Sequence, residues 1–257
     1  MERGKIAFAR LCHEELSRDK LRDGIGLYAE KRLHGLLKRW VFDDLSAHEQ
    51  KVAERGGKQS RFVADVLTPD GEIFEIQTAK LYPLRKKIAF YMEKTDYRVT
   101  LVHPLAVKKY VSWLDPTSGE VTKRTRVSRT ATPLTGISEL RPFLKYLDDP
   151  RFSVMFPLVE LDEYRLLDGW SRDRKRGSHR YELIPLALHD TCVIESGADI
   201  LAHFPEGLPD EFVAKDFAKA TRLQGYALYD ALAVFVALGA IAPDGKRGRA
   251  VLYRKAK

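Results

Sequence analysis

From Arg61 to Leu67 the chain reads Arg-Phe-Val-Ala-Asp-Val-Leu, and after Thr-Pro-Asp-Gly it resumes as Glu-Ile-Phe-Glu-Ile-Gln-Thr. β-Branched and aromatic residues favour strands on both sides, and Pro-Asp-Gly is turn chemistry, so the stretch is a β-hairpin. A three-residue loop over 69–71, with Gly71 in the left-handed conformation, sets Thr68 against Glu72 and therefore Asp65 against Glu75. Side chains alternate along a strand: Glu75 and Gln77 share one face, and Phe74 and Ile76 point to the other. Like charges directly opposed repel, so something must compensate. A divalent cation does this with hard oxygen ligands. The plain alternative is an acidic hairpin face solvated by water.

Whole-chain quantities narrow the setting. A chain of 257 residues holds one large or two smaller domains, and 44% hydrophobic content is ordinary for a globular protein. No apolar run reaches the length of a membrane span, and Met-Glu-Arg-Gly-Lys lacks the apolar centre of a secretory signal, so a cytoplasmic location without membrane contact is expected. Cys12 and Cys192 have no metal-ligand spacing and are expected as free buried thiols. Lys and Arg total 44 against 36 Asp and Glu, a net charge of +8, which favours polyanionic partners. Basic residues gather at 85–87, 123–129, 172–180 and 246–249. Each cluster alone reads as solubilising surface; four together point to phosphates.

Along the chain, residues 11–19 read as a short, highly charged segment. Over 27–41, Leu27, Leu33, Leu37, Trp40 and Val41 recur at helical spacing, with Glu30 on that apolar side and His34 one turn on. An inward carboxylate needs a partner. Either Arg32 or Lys38 reaches Glu30, or Glu30 faces the same point as Asp65 and Glu75. Residues 47–59 are a polar loop or short strand. Residues 82–94 form a helix with Leu84, Ile88 and Tyr91 on one side, and 98–105 an apolar strand. This order, helix, strand, strand, helix, strand, describes a mixed α/β core around a short sheet. Further on, 110–121 and 121–127 pair about Asp-Pro-Thr-Ser-Gly, 136–149 is a helix, and 152–161 is a strand. Residues 168–181 break all periodicity, as an ordered basic loop carrying Trp170 and Tyr181 or as an exposed linker.

A helix with an inward Glu, a strand bearing Asp, a strand bearing Glu-x-Gln, then a helix and a buried strand resembles the PD-(D/E)XK, or restriction-endonuclease-like, nuclease superfamily. The likeness rests on Ala29–His34, Val63–Val66 and Phe74–Thr78, spans about 27–105, and is similar to a bacterial branch with a C-terminal winged helix-turn-helix. The resemblance implies metal-dependent hydrolysis of phosphodiesters in DNA or structured RNA, with DNA favoured. It implies Mg²⁺ or Mn²⁺ held by Asp65, Glu75 and the main-chain carbonyl of Ile76, with Glu30 reaching the metal through water. The superfamily usually has Lys where this chain has Gln77, and a lysine from the start of the next helix, Lys86 or Lys87 with Lys86 preferred, is expected in its stead. Lys80 has the wrong strand parity unless the strand has already ended. The alternative is a non-catalytic nucleic-acid-binding or regulatory protein with a degenerate nuclease fold. By analogy, a homodimer would let two such centres cut two strands.

The expected fold class is therefore α/β: a restriction-endonuclease-like mixed sheet flanked by helices over 1–205, plus a small winged helix-turn-helix over 206–257. In the latter, helices at 212–220 and 225–238 precede a basic turn at 245–249 and a strand at 250–254. The second helix is apolar nearly all round with only Asp230 charged, so either it packs on the core or on a second chain, or DNA is touched through Arg222 and the wing. Expected nucleic-acid contacts are Lys123, Arg124, Arg126 and Arg129 on the hairpin, Arg172, Arg174, Lys175, Arg176 and Arg180 in the loop, and Lys246, Arg247 and Arg249 in the wing.

Overall fold

Two helices open the computed structural model, which describes residues 2–17, 32–128, 130–170 and 176–256: α1 (Glu2–Ser17) and α2 (Arg32–Val41). The described part of the segment expected as merely charged over 11–19 belongs to α1. Phe8, Leu11 and Cys12 fall at helical spacing and are buried in one cluster with Leu33, Leu36 and Leu37 of α2. Three strands follow, β1 (His48–Ala53), β2 (Gln59–Leu67) and β3 (Glu72–Ile76), each antiparallel to the next. Helix α3 (Arg85–Lys94) then carries the chain back, so that β4 (Arg98–Val102) lies parallel to β3.

Strands β5 (Leu105–Leu114) and β6 (Val121–Arg126) form the expected hairpin. Instead of one α-helix over 136–149, there is a short α4 (Pro133–Ile137) followed by a 3-10 helix (Ser138–Tyr146). Pro142 lies inside the second piece, and proline, which lacks an N–H, disfavours a continuous α-helix. Gly136 makes the close packing possible: a Cβ there would lie 2.7 Å from the Phe156 ring.

The largest departure is a hairpin of two strands, β7 (Phe152–Trp170) and β8 (Arg176–Ile194), each 19 residues long. The described part of 168–181, expected as an aperiodic loop, is its far end, with Gly169 opposite Gly177 and Trp170 opposite Arg176. Register shifts between Tyr164 and Arg165 and between Leu166 and Gly169 break the alternation that would have marked a strand. After β8 come α5 (Gly197–Leu201), β9 (Glu211–Val213), α6 (Ala214–Thr221), α7 (Gly225–Ala237), β10 (Ile241–Arg247) and β11 (Ala250–Lys255).

Strands β1 to β8 make one mixed sheet in the order β1-β2-β3-β4-β7-β5-β6, with β8 also on β7. The long β7 is the shared element. Its first residues run parallel to β4, with Val102 beside Met155, and its later ones run parallel to β5, with Leu114 beside Leu166. The fold is thus α/β, a large mixed sheet flanked by helices. Strands β9, β10 and β11 form a separate antiparallel sheet in the order β10-β11-β9.

Helix α7 packs against α4 and the 3-10 helix, and Arg141 Nη1 lies 3.2 Å from Asp230 Oδ1. That is where its apolar surface goes: Leu228, Ala231, Leu232, Val234 and Phe235 are buried. One cluster of buried side chains runs from Ile88, Tyr91 and Val99 through Phe143 and Phe152 to Phe217 and Phe235, across position 206 without a break. Cys12 is buried and free, and burial, then the charge of Glu15, pushes its thiol up to about 12; Cys192 is free and half-buried. Among the described residues no helix is long and apolar enough to cross a membrane.

Candidate active site

The β2–β3 turn has the geometry its residues call for. Gly71 has φ +81°, and the Gly71 N–H donates to the Thr68 carbonyl at 3.0 Å. The Thr68 N–H donates to the Glu72 carbonyl at 2.9 Å. Val66 pairs with Phe74 and Leu67 with Ile73, a register that, extended by one residue, sets Asp65 opposite Glu75. Beyond that point a side chain takes over from the backbone ladder: the Ile76 N–H donates to Asp65 Oδ2 at 2.7 Å.

Helix α3 delivers two groups to the same carboxylate. Lys87 and Tyr91 are four residues apart and share a helix face. The Lys87 ammonium pairs with Glu75 Oε1, and the Tyr91 hydroxyl lies 3.4 Å from both Glu75 Oε2 and the Val63 carbonyl oxygen, which share its single proton. The preferred lysine, Lys86, is exposed instead, because one residue along a helix turns a side chain about 100° away. From the other side, α2 brings His34 Nε2 to 3.3 Å from Asp65 Oδ2.

The two carboxylates differ in kind. The Glu75 side chain is 3% exposed, and burial, then the neighbouring Asp65 charge, pushes it up to about 7 against the pull of Lys87. Burial acts in the same sense on Asp65, but His34, the Ile76 N–H and Lys87 outweigh it and hold Asp65 below the ordinary carboxylate value. One acid stays ionised while its neighbour titrates near neutrality, an arrangement suited to holding a proton or a hard cation.

Gln77 follows the end of β3. Its side-chain oxygen accepts from the Ala79 N–H at 3.3 Å, and its carbonyl lies 2.7 Å from Nδ1 of His103, a buried imidazole whose pKa burial lowers. Lys80 turns to Glu139 at 2.7 Å. Glu30 lies outside the described residues; Lys38 meets Glu49 at 3.1 Å, and Arg32 donates to the Glu15 carbonyl at 3.2 Å. Among the described residues no group of three or more His, Cys, Asp or Glu is gathered as a metal cage. The sequence pattern brought out Asp65 and Glu75 and offered Lys87 only behind Lys86; it missed Tyr91 as a partner of Glu75 and His103 as a partner of the Gln77 carbonyl.

The basic residues are dispersed around this centre. Lys123, Arg124 and Arg126 stand on β6, an edge strand whose six residues are all exposed. Arg124 is already engaged, with Nε 2.7 Å from Asp162 Oδ2 and the guanidinium 3.8 Å from the Tyr110 ring centre. Arg180 is exposed on β8, and Lys246, Arg247 and Arg249 are exposed around the β10–β11 turn. Arg129, Arg172, Arg174 and Lys175 lie outside the described residues, and Arg176 begins β8.

No curated protein and no solved structure matches the chain. A family's sequence model does match, from just before α2 to the last residues of β8. The matched stretch takes in the paired acids, Lys87 and the long hairpin, and it covers well over half of the chain. The protein therefore belongs to the family described as Domain of unknown function (DUF8091), matched over residues 31–195.

Proposed function

We propose that the protein is a metal-dependent phosphodiesterase acting on nucleic acid, DNA in preference to RNA. In this reading β1 to β4 with α2 and α3 are a restriction-endonuclease-like core, and β9 to β11 with α6 and α7 are a winged helix. One observation carries it: Asp65 and Glu75 stand opposite each other on paired strands, and Lys87 reaches Glu75 from the helix that follows. That lysine occupies the role left open by Gln77.

The donor set suits a hard cation. Two carboxylates and the Ile76 carbonyl are oxygen ligands of the type Mg²⁺ or Mn²⁺ takes while keeping several waters. Glu75 is raised first by burial and second by the neighbouring Asp65 charge, and a cation bound between the two carboxylates would offset both. Asp65, Glu75 and the Ile76 carbonyl would hold it, and Glu30 is the further candidate through water. When bound, the metal polarises a phosphoryl oxygen and lowers the pKa of an attacking water. The chain's own groups do the rest. Ile76 N–H and His34 orient Asp65 and keep it ionised, Tyr91 orients Glu75, and Lys87 supplies fixed positive charge to a phosphate gaining negative charge.

A second reading, a non-catalytic nucleic-acid-binding or regulatory protein, is favoured by Lys87 already neutralising Glu75. Nicking of supercoiled plasmid with and without Mg²⁺ separates the two. Metal-dependent nicking lost in Asp65→Ala and in Glu75→Ala supports the enzyme. Salt-sensitive DNA binding with neither metal uptake nor cleavage supports the binding protein.

A further inference from the structure

We infer that the groove on the β5–β6 hairpin is a subsite for one unstacked nucleotide of a single strand, an inference that rests on the nucleic-acid reading above. Val111 and Trp113 of β5 lie directly opposite Thr125 and Lys123 of β6, so all four share a face. With Leu167 from β7 and Arg126 at the end of β6, they line an open groove of about 700 Å³. Its floor is apolar and aromatic, and Leu167 is 40% exposed. Lys123 and Arg126 are both among its lining residues, and no acid is.

That combination selects a ligand. An aromatic face invites a planar, apolar partner, and cationic lining residues without an acid among them invite an anion beside it; a nucleotide is both. Arg124 shows the contrast, because Asp162 holds its charge, whereas Lys123 and Arg126 have no acid beside them among the groove's lining residues. Bases inside a duplex are stacked on both sides and offer no free face to Trp113, so the groove fits an unpaired strand or a base turned out of its stack. A second copy could instead add its β6 to this edge. Charge opposes that pairing, since each copy would bring Lys123, Arg124 and Arg126 against the same three residues of the other.

The test is binding of a fluorescent single-stranded oligonucleotide, and of its matched duplex, to the full chain in EDTA so that no hydrolysis intervenes. The single strand is expected to bind more tightly. Trp113→Leu, which keeps an apolar side chain but removes the aromatic face, is expected to weaken it about 10-fold. Lys123→Ala with Arg126→Ala, both at exposed positions, is expected to lower the slope of log affinity against log salt by about 1.4. Binding unchanged in both variants would overturn the subsite and leave the nucleic-acid reading standing. Binding of neither oligonucleotide would overturn both. A concentration-dependent dimer in sedimentation that shields Trp113 from a fluorescence quencher would overturn the subsite in favour of a second copy.

Discussion

Lys87 and Glu75 form an ion pair across the β3–α3 connection, with Tyr91, one helical turn beyond Lys87, on the other carboxylate oxygen. The pair is also where the chain departs from its own sequence pattern, since the neighbouring Lys86 was the preferred partner. If Lys87 supplies charge to the reacting phosphate, Lys87→Ala lowers the rate of plasmid nicking by about 100-fold or more. Lys86→Ala leaves it within about twofold, as expected for an exposed side chain. Equal losses in both variants would remove Lys87 from the mechanism.

Glu75 makes stability depend on pH in a defined direction. Its folded pKa is about 7, above the ordinary 4.5, so between these values the folded state binds the additional proton. Its contribution is fully present below 4.5 and is lost as pH rises through 7. In metal-free buffer, wild-type stability should therefore fall over this window, by an amount on the order of 3 kcal/mol. Glu75→Gln should flatten the curve, and Mg²⁺ should flatten it for the wild type. Urea unfolding at several pH values, with and without Mg²⁺, reads both effects.

The Tyr91 hydroxyl shares its proton between Glu75 and the Val63 carbonyl, so Tyr91→Phe removes a donor without removing the ring. The expected loss is about 0.5–1.5 kcal/mol. Because that donation holds Glu75 down, the Glu75 midpoint should move further up in the variant. A midpoint that moves down would contradict the assigned hydrogen bond.

Gly136→Ala tests the packing of α4 on β7. The new methyl would meet the Phe156 ring at 2.7 Å, which calls for a loss of about 1–3 kcal/mol. Adding Phe156→Leu should restore part of it, measured by thermal unfolding of the single and double variants. Additive losses would show that the two positions do not touch.

Much of this was legible from short-range chemistry. Turn residues Pro69-Asp70-Gly71 specify the loop, the loop specifies the register, and the register puts Asp65 opposite Glu75. The lysine was legible too, had helical phase been weighed: Lys87 lies four residues before Tyr91, which is on the buried side of α3. The 3-10 helix was marked by Pro142, and α1 by Phe8, Leu11 and Cys12 at helical spacing amid charges. What stayed hidden depends on pairing between distant strands. Bulges in β7 and β8 erase their alternation, and Trp113 gains significance only once Lys123 is known to lie across from it.

The continuity of β7 sets a length. Met155 lies beside Val102, at the end of the core sheet near the acids, and Arg165 lies beside Trp113, at the groove. Nine residues of the same strand lie between them, and the ten steps from Met155 to Arg165 span about 33 Å at the usual rise per residue. Both ends belong to one strand, so a strand gripped at Trp113 would meet Glu75 at an offset set by β7 and its register shifts. Such a protein would act as a gauge: it would place each break by distance from the point where a strand leaves its duplex, whatever the sequence at the break.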